Sequence, residues 1–358
     1  MSRAHNFSAG PAALPEAVLE RARAELLEWG GERASVMEVS HRGKAFEAMA
    51  ARAEADLRSL LAVPDDHAVL FLQGGATQHF AQVPMNIAAG GRADYVLTGH
   101  WGVRAMAEAA RVCTVRVAAS SEAGGFRDLP DRIDLDPGAA YVHVTPNETI
   151  HGVEFHAPPD TGGVPLVADM SSTLLSRPVD VARYGVIYAC AQKNIGPSGL
   201  VVLLVRRDLL ARAPDSLPDI FRYDRHAASG SLLNTPPTFA WYLAGLVFQW
   251  LHEQGGLAAM AARNQAKSAR LYAAIDGSGG FYRNQVAASA RSWMNVPFQL
   301  HDAALDPLFL AGAEAAGLIG LKGHRAVGGM RASLYNAMPM AGVEALVDYM
   351  AGFQRDHG

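Results

Sequence analysis

The chain has 358 residues, 50% of them apolar and 18% charged, which is enough for about two domains and too apolar for a disordered chain. Lys and Arg total 31 against 35 Asp and Glu, and the net charge of −4 excludes the clustered basic face of a nucleic-acid binder. Its two cysteines, Cys113 and Cys190, exclude a disulfide framework and a cysteine-rich zinc site, and they fit a reducing compartment.

Pro15 to Trp29 reads as a helix: Pro15 suits the first position, Gly30-Gly31 the stop, and Val18, Ala22 and Leu26 share a face. A second helix is expected from near Lys44 to Leu61, with Phe46, Met49, Ala53 and Leu57 facing inward. Ala68 to Leu72 is a short apolar strand that runs into Gly74-Gly75-Ala76-Thr77 and a helical stretch. Asp94 to Leu97 is another strand, followed by Trp101 and a helix from Val103 to Ala110. Ala140 to Val144, Pro165 to Ala168, Val186 to Cys190 and Leu200 to Val205 are further strands. Continuous apolar runs separated by helices predict an α/β fold whose mostly parallel sheet is covered on both faces. Helices from Phe239 to Trp250 and Leu257 to Tyr272 lead into a smaller α/β unit. It has strands at Met294 to Leu300 and Met330 to Leu334, and a helix from Leu305 to Ala316. The longest strongly apolar run, Leu200 to Val205, is far short of the ~20 residues a membrane helix needs. Met1 to Asn6 lacks the apolar core of a signal peptide, so a cytoplasmic protein that avoids membranes is expected.

Phosphate loops of the GxxxxGK[ST] type, GxGxxG after a strand, HExxH and GxSxG are all missing, and the 13 histidines show no metal-like spacing. Among the basic residues only Lys44, Lys193, Lys267 and Lys322 are lysines, and lysine, unlike arginine, forms Schiff bases. For any single lysine an arginine-biased composition is the weightier explanation of the scarcity. Three strand ends carry polar residues of complementary type, where open α/β sheets collect ligands. Gly74-Gly75-Ala76-Thr77 offers backbone N–H groups and a helix N-terminus to a phosphate, or is a tight turn. Asp169 ends one apolar run and would pair with a protonated ring nitrogen, or cap a helix. Lys193 follows another, and burial there is expected to lower its pKa and make it nucleophilic towards an aldehyde. Phosphate cradle, carboxylate and Schiff-base lysine together are what pyridoxal 5′-phosphate requires, with Trp101 available to stack on its ring.

Six segments carry a family resemblance. They are Asn6 to Pro11, Met37 to Lys44, Pro146 to Thr149, Ala189 to Gly196, Asn234 to Phe239, and Lys322 to Arg325 with Gly328 to Ser333. Together they resemble the phosphoserine aminotransferases, class-V members of the fold-type I pyridoxal phosphate enzymes, from residue 6 to the C-terminus. The resemblance implies a large domain, residues 16–260, with a seven-stranded, mostly parallel sheet between helices. It implies a small α/β domain built from residues 1–15 and 261–358, and a homodimer with shared active sites. By position, Lys193 resembles the Schiff-base lysine and Asp169 the partner of the pyridine nitrogen. Trp101 resembles the stacking aromatic, and Ala76, Thr77, Thr149 and Gln192 match other cofactor contacts. Asn234 and Thr235 match residues that reach the cofactor phosphate from the neighbouring subunit. His41, Arg42, His324 and Arg325 resemble the groups that hold the substrate phosphate or the glutamate side chain, and Arg331 the clamp for the α-carboxylate. Ala9 and Ala76-Thr77 depart from relatives that carry Ser and Gly-Arg there.

The implied reaction is ping-pong amino transfer from glutamate to 3-phosphohydroxypyruvate, with Lys193 as general base and acid. Action on the phosphorylated four-carbon analogue of vitamin B6 synthesis is implied as well. Two alternatives stand beside it. A cysteine desulfurase needs a reactive cysteine on a mobile loop, and a non-catalytic phosphate-binding module would leave Lys193 unmodified. No metal is expected.

Overall fold

The computed structural model describes residues 3–358. Seven strands form the main sheet: β1 (His67–Gly74), β2 (Arg92–Leu97), β3 (Thr114–Ser120), β4 (Val142–Val144), β5 (Leu166–Asp169), β6 (Val186–Cys190) and β7 (Gly199–Arg206). Their order is β1-β7-β6-β5-β4-β2-β3. Only β7 runs antiparallel to its neighbours; every other pair is parallel. All five residues of β6 and all four of β5 are buried, because helices cover both faces and leave no room for polar alternation. The expected α/β fold with a mostly parallel seven-stranded sheet is therefore the observed one.

Helix α1 (Glu16–Ala24) stops earlier than the sequence pattern predicts. Val18 and Ala22 are buried as expected, but Leu26 is 39% and Leu27 85% exposed. Past Glu25 the chain turns, and the Trp29 N–H bonds to the Ala34 carbonyl instead of continuing a helical ladder. Helix α2 (Lys44–Leu61) begins at the expected residue, with Gly43 as its N-cap and Phe46, Ala53 and Leu57 buried. The crossover helices α3 (Ala76–Ile87) and α4 (His100–Ala109) follow β1 and β2 directly, so Ala76, Thr77 and Trp101 all fall in first helical turns.

Helices α5 (Thr238–Glu253) and α6 (Gly256–Asp276) lead to a second core. There β8 (Tyr282–Arg283), β9 (Asn295–Leu300) and β10 (Met330–Ser333) form an antiparallel sheet with β9 in the middle. Helices α7 (Asp306–Ala315) and α8 (Met340–His357) pack on it. Helix α8 was not among the expected elements. Its signal is Pro339 at the start and buried Val343, Leu346, Val347 and Met350 on one face. His5–Asn6 pairs in parallel with Leu318–Ile319, so the N-terminal segment joins this second core and buries Phe7 in it. Helix α6 serves both cores: Leu257 and Met260 pack in the first, Leu271 and Ile275 in the second.

Of the four lysines, Lys44 and Lys322 are exposed. Lys267, on α6, is buried, and its Nζ donates to the carbonyls of Leu334, Tyr335 and Met338 at 3.0, 2.8 and 3.0 Å. It fastens the segment after β10 to α6. Lys267→Met leaves three buried acceptors unpaired and should lower stability by roughly 3 kcal/mol. Urea unfolding checks this as a lower midpoint with an unchanged m-value.

Candidate active site

Parallel strands present their carboxyl ends on one edge of the sheet, and the polar residues that follow them meet there. A cavity of about 310 Å3 at that edge is lined by Ala76, Thr77, Trp101, Thr149, Asp169, Gln192, Lys193, His324 and Arg331. Nine of the fourteen residues singled out from the sequence are therefore brought together. The remaining five, His41, Arg42, Asn234, Thr235 and Arg325, lie outside its lining. Arg325 follows the lining residue His324 in its loop, whereas the segments around His41-Arg42 and Asn234-Thr235 contribute no residue to the lining within one copy of the chain. Thr235 instead accepts a hydrogen bond at its carbonyl from Gln73, at the end of β1. His41 has a buried Nε2 with no partner among the described residues.

Asp169 is the last residue of β5 and is buried, and its Oδ1 accepts the Ser171 N–H at 3.0 Å. Burial pushes this carboxyl up, while Lys193 and Ser171 pull it back. Lys193 follows β6 in a tight turn, its own N–H donating to the Ala191 carbonyl. Burial pushes its ammonium down, but Tyr335, Cys190 and Asp169 together outweigh that, and the net direction is up. The expectation of a lowered value is thus corrected: an argument from burial alone omits the neighbours that favour the charged form. Gly10, at φ +145°, lies against the Lys193 stem, and its hypothetical Cβ would sit 3.6 Å from Lys193 Cγ. The backbone conformation, more than the space, requires glycine there.

Trp101 is held at two points. Its indole Nε1–H donates to Thr149 Oγ1 at 2.9 Å, and its backbone N–H donates to Glu148. Glu148 is fully buried and also accepts the Gly102 N–H at 2.7 Å, so a carboxylate from the loop after β4 caps the positive end of α4. Gly99 makes room for it, since a Cβ there would come within 2.5 Å of the Glu148 carboxyl carbon. Arg331, on β10, donates to the Thr149 carbonyl at 3.0 Å, which ties the second core to the same loop.

Sequence reasoning missed Glu148, Asn147, Ser172 and Tyr335. Asn147 donates to Ser172 Oγ and to Asn295 Oδ1, both at 2.9 Å. Tyr335 accepts from Asn295 Nδ2 and donates to the Ala9 carbonyl at 2.8 Å. Asn147 and Glu148 lay inside a recognised segment, but nothing local marks either as a partner of groups so distant in sequence.

The cavity offers an amine able to form a Schiff base, a carboxylate for a protonated ring nitrogen, a fixed aromatic face and a helix N-terminus for a phosphate. Thr145 Oγ1 and Asn147 Oδ1, on residues of the lining, are buried without a protein partner, as expected where a polar ligand completes the bonding. The residues therefore fit pyridoxal phosphate. Cys190 lines the same cavity, but burial raises its thiol, and burial also raises Cys113. Neither is the exposed, low-pKa thiol that a desulfurase needs.

Burial pushes the Glu148 carboxyl up from 4.5 to about 7. An acid raised in the fold contributes stability that is full below its unfolded value and lost as pH rises through its folded one. The Glu148 contribution should therefore fade between pH 4.5 and about 7, a swing of roughly 3 kcal/mol. Urea unfolding across that window should find Glu148→Gln gaining on the wild type by about this amount. A gap that does not change with pH would show that Glu148 is already ionised in the fold.

A family model for class-V aminotransferases matches residues 4–346. The phosphoserine aminotransferase of Stenotrophomonas maltophilia (strain R551-3) is 62% identical over 361 aligned positions, which cover 100% of both chains. A solved phosphoserine aminotransferase from Bacillus circulans subsp. alkalophilus has a TM-score of 0.98 at 50% identity, covering 99% of each chain. A PLP-bound phosphoserine aminotransferase from Trichomonas vaginalis has a TM-score of 0.92 at 41% identity, covering 98% of this chain and 100% of that one. Neither a desulfurase nor a non-catalytic module finds support in these likenesses. The chain belongs to the class-V aminotransferases and, among them, to the phosphoserine aminotransferase family.

Proposed function

We propose that this protein transfers the amino group of L-glutamate to 3-phosphohydroxypyruvate, giving O-phospho-L-serine and 2-oxoglutarate, as a step of serine biosynthesis. The phosphorylated four-carbon keto acid 3-hydroxy-2-oxo-4-phosphooxybutanoate is a second substrate. The observation that carries the reading is the convergence of Lys193 and Asp169 on the cavity that Trp101 also lines. Pyridoxal phosphate, when bound, supplies the electron sink that makes the substrate Cα acidic and carries the amino group between half-reactions.

The chain's own groups divide the remaining work. The N–H groups at the start of α3 and the Thr77 hydroxyl hold a phosphate. Asp169 holds a proton on a ring nitrogen. Lys193 Nζ is the attachment point, and once freed it takes the proton from the substrate Cα and returns it on the other side of the transfer. Arg331, braced by the Thr149 carbonyl, clamps the α-carboxylate, and its guanidinium suits that planar anion. His324 and Arg325, with His41 and Arg42, hold the distal phosphate or side-chain carboxylate.

The last pair and Asn234-Thr235 belong, in this reading, to a homodimer in which each protomer completes its partner's site. Their position outside the cavity of their own chain supports it, as do exposed Leu26, Leu27 and Met37 on the segment leading to His41. Division into a large domain at 16–260 and a small domain from 1–15 and 261–358 is part of the same reading, as is a cytoplasmic location. No helix among the described residues is long and apolar enough to cross a membrane.

The purified protein should show the visible absorption of bound cofactor. The band should change on adding glutamate and return on adding the phosphorylated keto acid. Lys193→Ala should lack both the band and the activity; a variant that keeps them would remove Lys193 from its role. Arg42→Ala and Arg325→Ala should each weaken the phosphorylated substrate by about 1.5–3 kcal/mol, read as KM. Mixing Lys193→Ala with Arg42→Ala protomers tests site sharing. Hybrid dimers hold one intact site, so on the order of a quarter of wild-type activity should return. No recovery would place Arg42 in its own protomer's site.

A further inference from the structure

Three imidazoles from three different elements gather around the loop before β10: His324 lies in the lining of the Lys193 cavity, and His151 lies in that of an adjoining one together with Ala326, Val327 and Gly328. His100 opens α4, His151 follows the lining residues Thr149 and Ile150, and His324 lines the cavity from the loop before β10. The His100 and His324 rings are 5.9 Å apart. His100 meets the Trp101 ring edge-on at 5.4 Å, and His151 packs on Phe126 at 5.0 Å. The His151 Nδ1 is buried and has no hydrogen-bond partner among the described residues. His324 Nδ1 accepts the Ala326 N–H at 3.3 Å, which leaves its Nε2 to carry the proton and to donate. The sequence reading assigned His324 alone; His100 and His151 have no role in it.

The charges that act most on this trio are positive. Arg104 and Arg325 act on His100, Arg331 and Arg325 act on His324, and the imidazoles act on one another. The carboxylates nearby are committed elsewhere, Glu148 to the N–H groups of α4 and Asp169 to Ser171 and Lys193. Burial first and these cations second push all three imidazoles down, His151 to about 4. Among the described residues no group of three His, Cys, Asp or Glu is placed to hold a metal ion, so the trio is not a metal site.

We propose that His100 and His151 join His324 as one anion-responsive cluster that takes up protons as the phosphate dianion of the substrate arrives. The proposal rests on the aminotransferase reading and adds to it two specificity-determining residues. A dianion placed among neutral imidazoles reverses the sign of the local field and makes the imidazolium form favourable. A singly charged carboxylate does so less, and the cluster thereby favours the phosphorylated substrate over glutamate.

The test is isothermal titration of the holoenzyme with 3-phosphoglycerate, which carries a phosphate and a carboxylate but no amino or keto group to react. Near pH 7.5, in two buffers of different ionisation enthalpy, the titration reads the dissociation constant and the protons exchanged. Net proton uptake is expected, with affinity falling as pH rises from about 7 to 8.5. The double variant His100→Gln/His151→Gln should lose at least half of the uptake and bind the probe about tenfold more weakly. Each single variant should lose part of both, and the wild-type pH profile needs no variant at all. Unchanged uptake and affinity in the variants, or a flat wild-type profile, would overturn the cluster. Amino transfer from glutamate by the same wild-type preparation would then leave the aminotransferase reading standing. A wild-type holoenzyme that neither binds the probe nor accepts the amino group of glutamate would overturn both.

Discussion

Asp169 and Lys193 stand at the ends of adjacent parallel strands, withdrawn together from water, and each favours the charged form of the other. Burying either charge costs several kcal/mol, which their attraction offsets in part. The pairing follows from topology: β5 and β6 run in the same direction, so residues 24 positions apart in sequence emerge on the same edge of the sheet. An amine kept charged by its neighbours is a poor nucleophile while the pocket holds only protein. In the proposed reaction this amine meets an aldehyde, and the residues around it are already fixed. Trp101 is pinned by Thr149 and Glu148, and Gly10 keeps the Lys193 stem close.

Behind this pair lies a polar seam that joins the two cores. Asn194, the residue after Lys193, donates to the Ser172 and Leu174 carbonyls and accepts the Asn336 N–H at 3.0 Å. Asn336 in turn bonds to the Leu175 carbonyl and to Asn264 on α6. Buried amides of this kind define one alignment of the packed surfaces, because a shift of the second core would leave several donors unpaired. The same seam links the segment after β10, the strand that carries Arg331, to the turn that carries Lys193.

Much of this was legible in the sequence, for physical reasons that differ from place to place. The runs Val186 to Cys190 and Leu200 to Val205 read as central strands because only a sheet covered on both faces tolerates them. Asp169 and Lys193 stood out as charges placed directly after such runs. The stripe Val18, Ala22, Leu26 misled, because spacing alone does not reveal where the covering partner ends. Glu148 carried no local sign, since the N–H groups it caps lie 46 and 47 positions earlier. The charge state of Lys193 turned on Tyr335 and Cys190, whose proximity is a property of the fold. His41, Arg42, Asn234 and Thr235 were found by motif, and none of them lies in the lining of the cavity that gathers the others.

Helix α6 runs through both cores as one uninterrupted rod of 21 residues. A molecule built this way has no seam in its covalent backbone to match the one in its packing. Severing the rod anywhere would deprive both halves of part of their interior, and the N-terminal strand, which crosses over to the far half, would be orphaned too. The second core is therefore not a cassette that recombination could lift out and graft elsewhere.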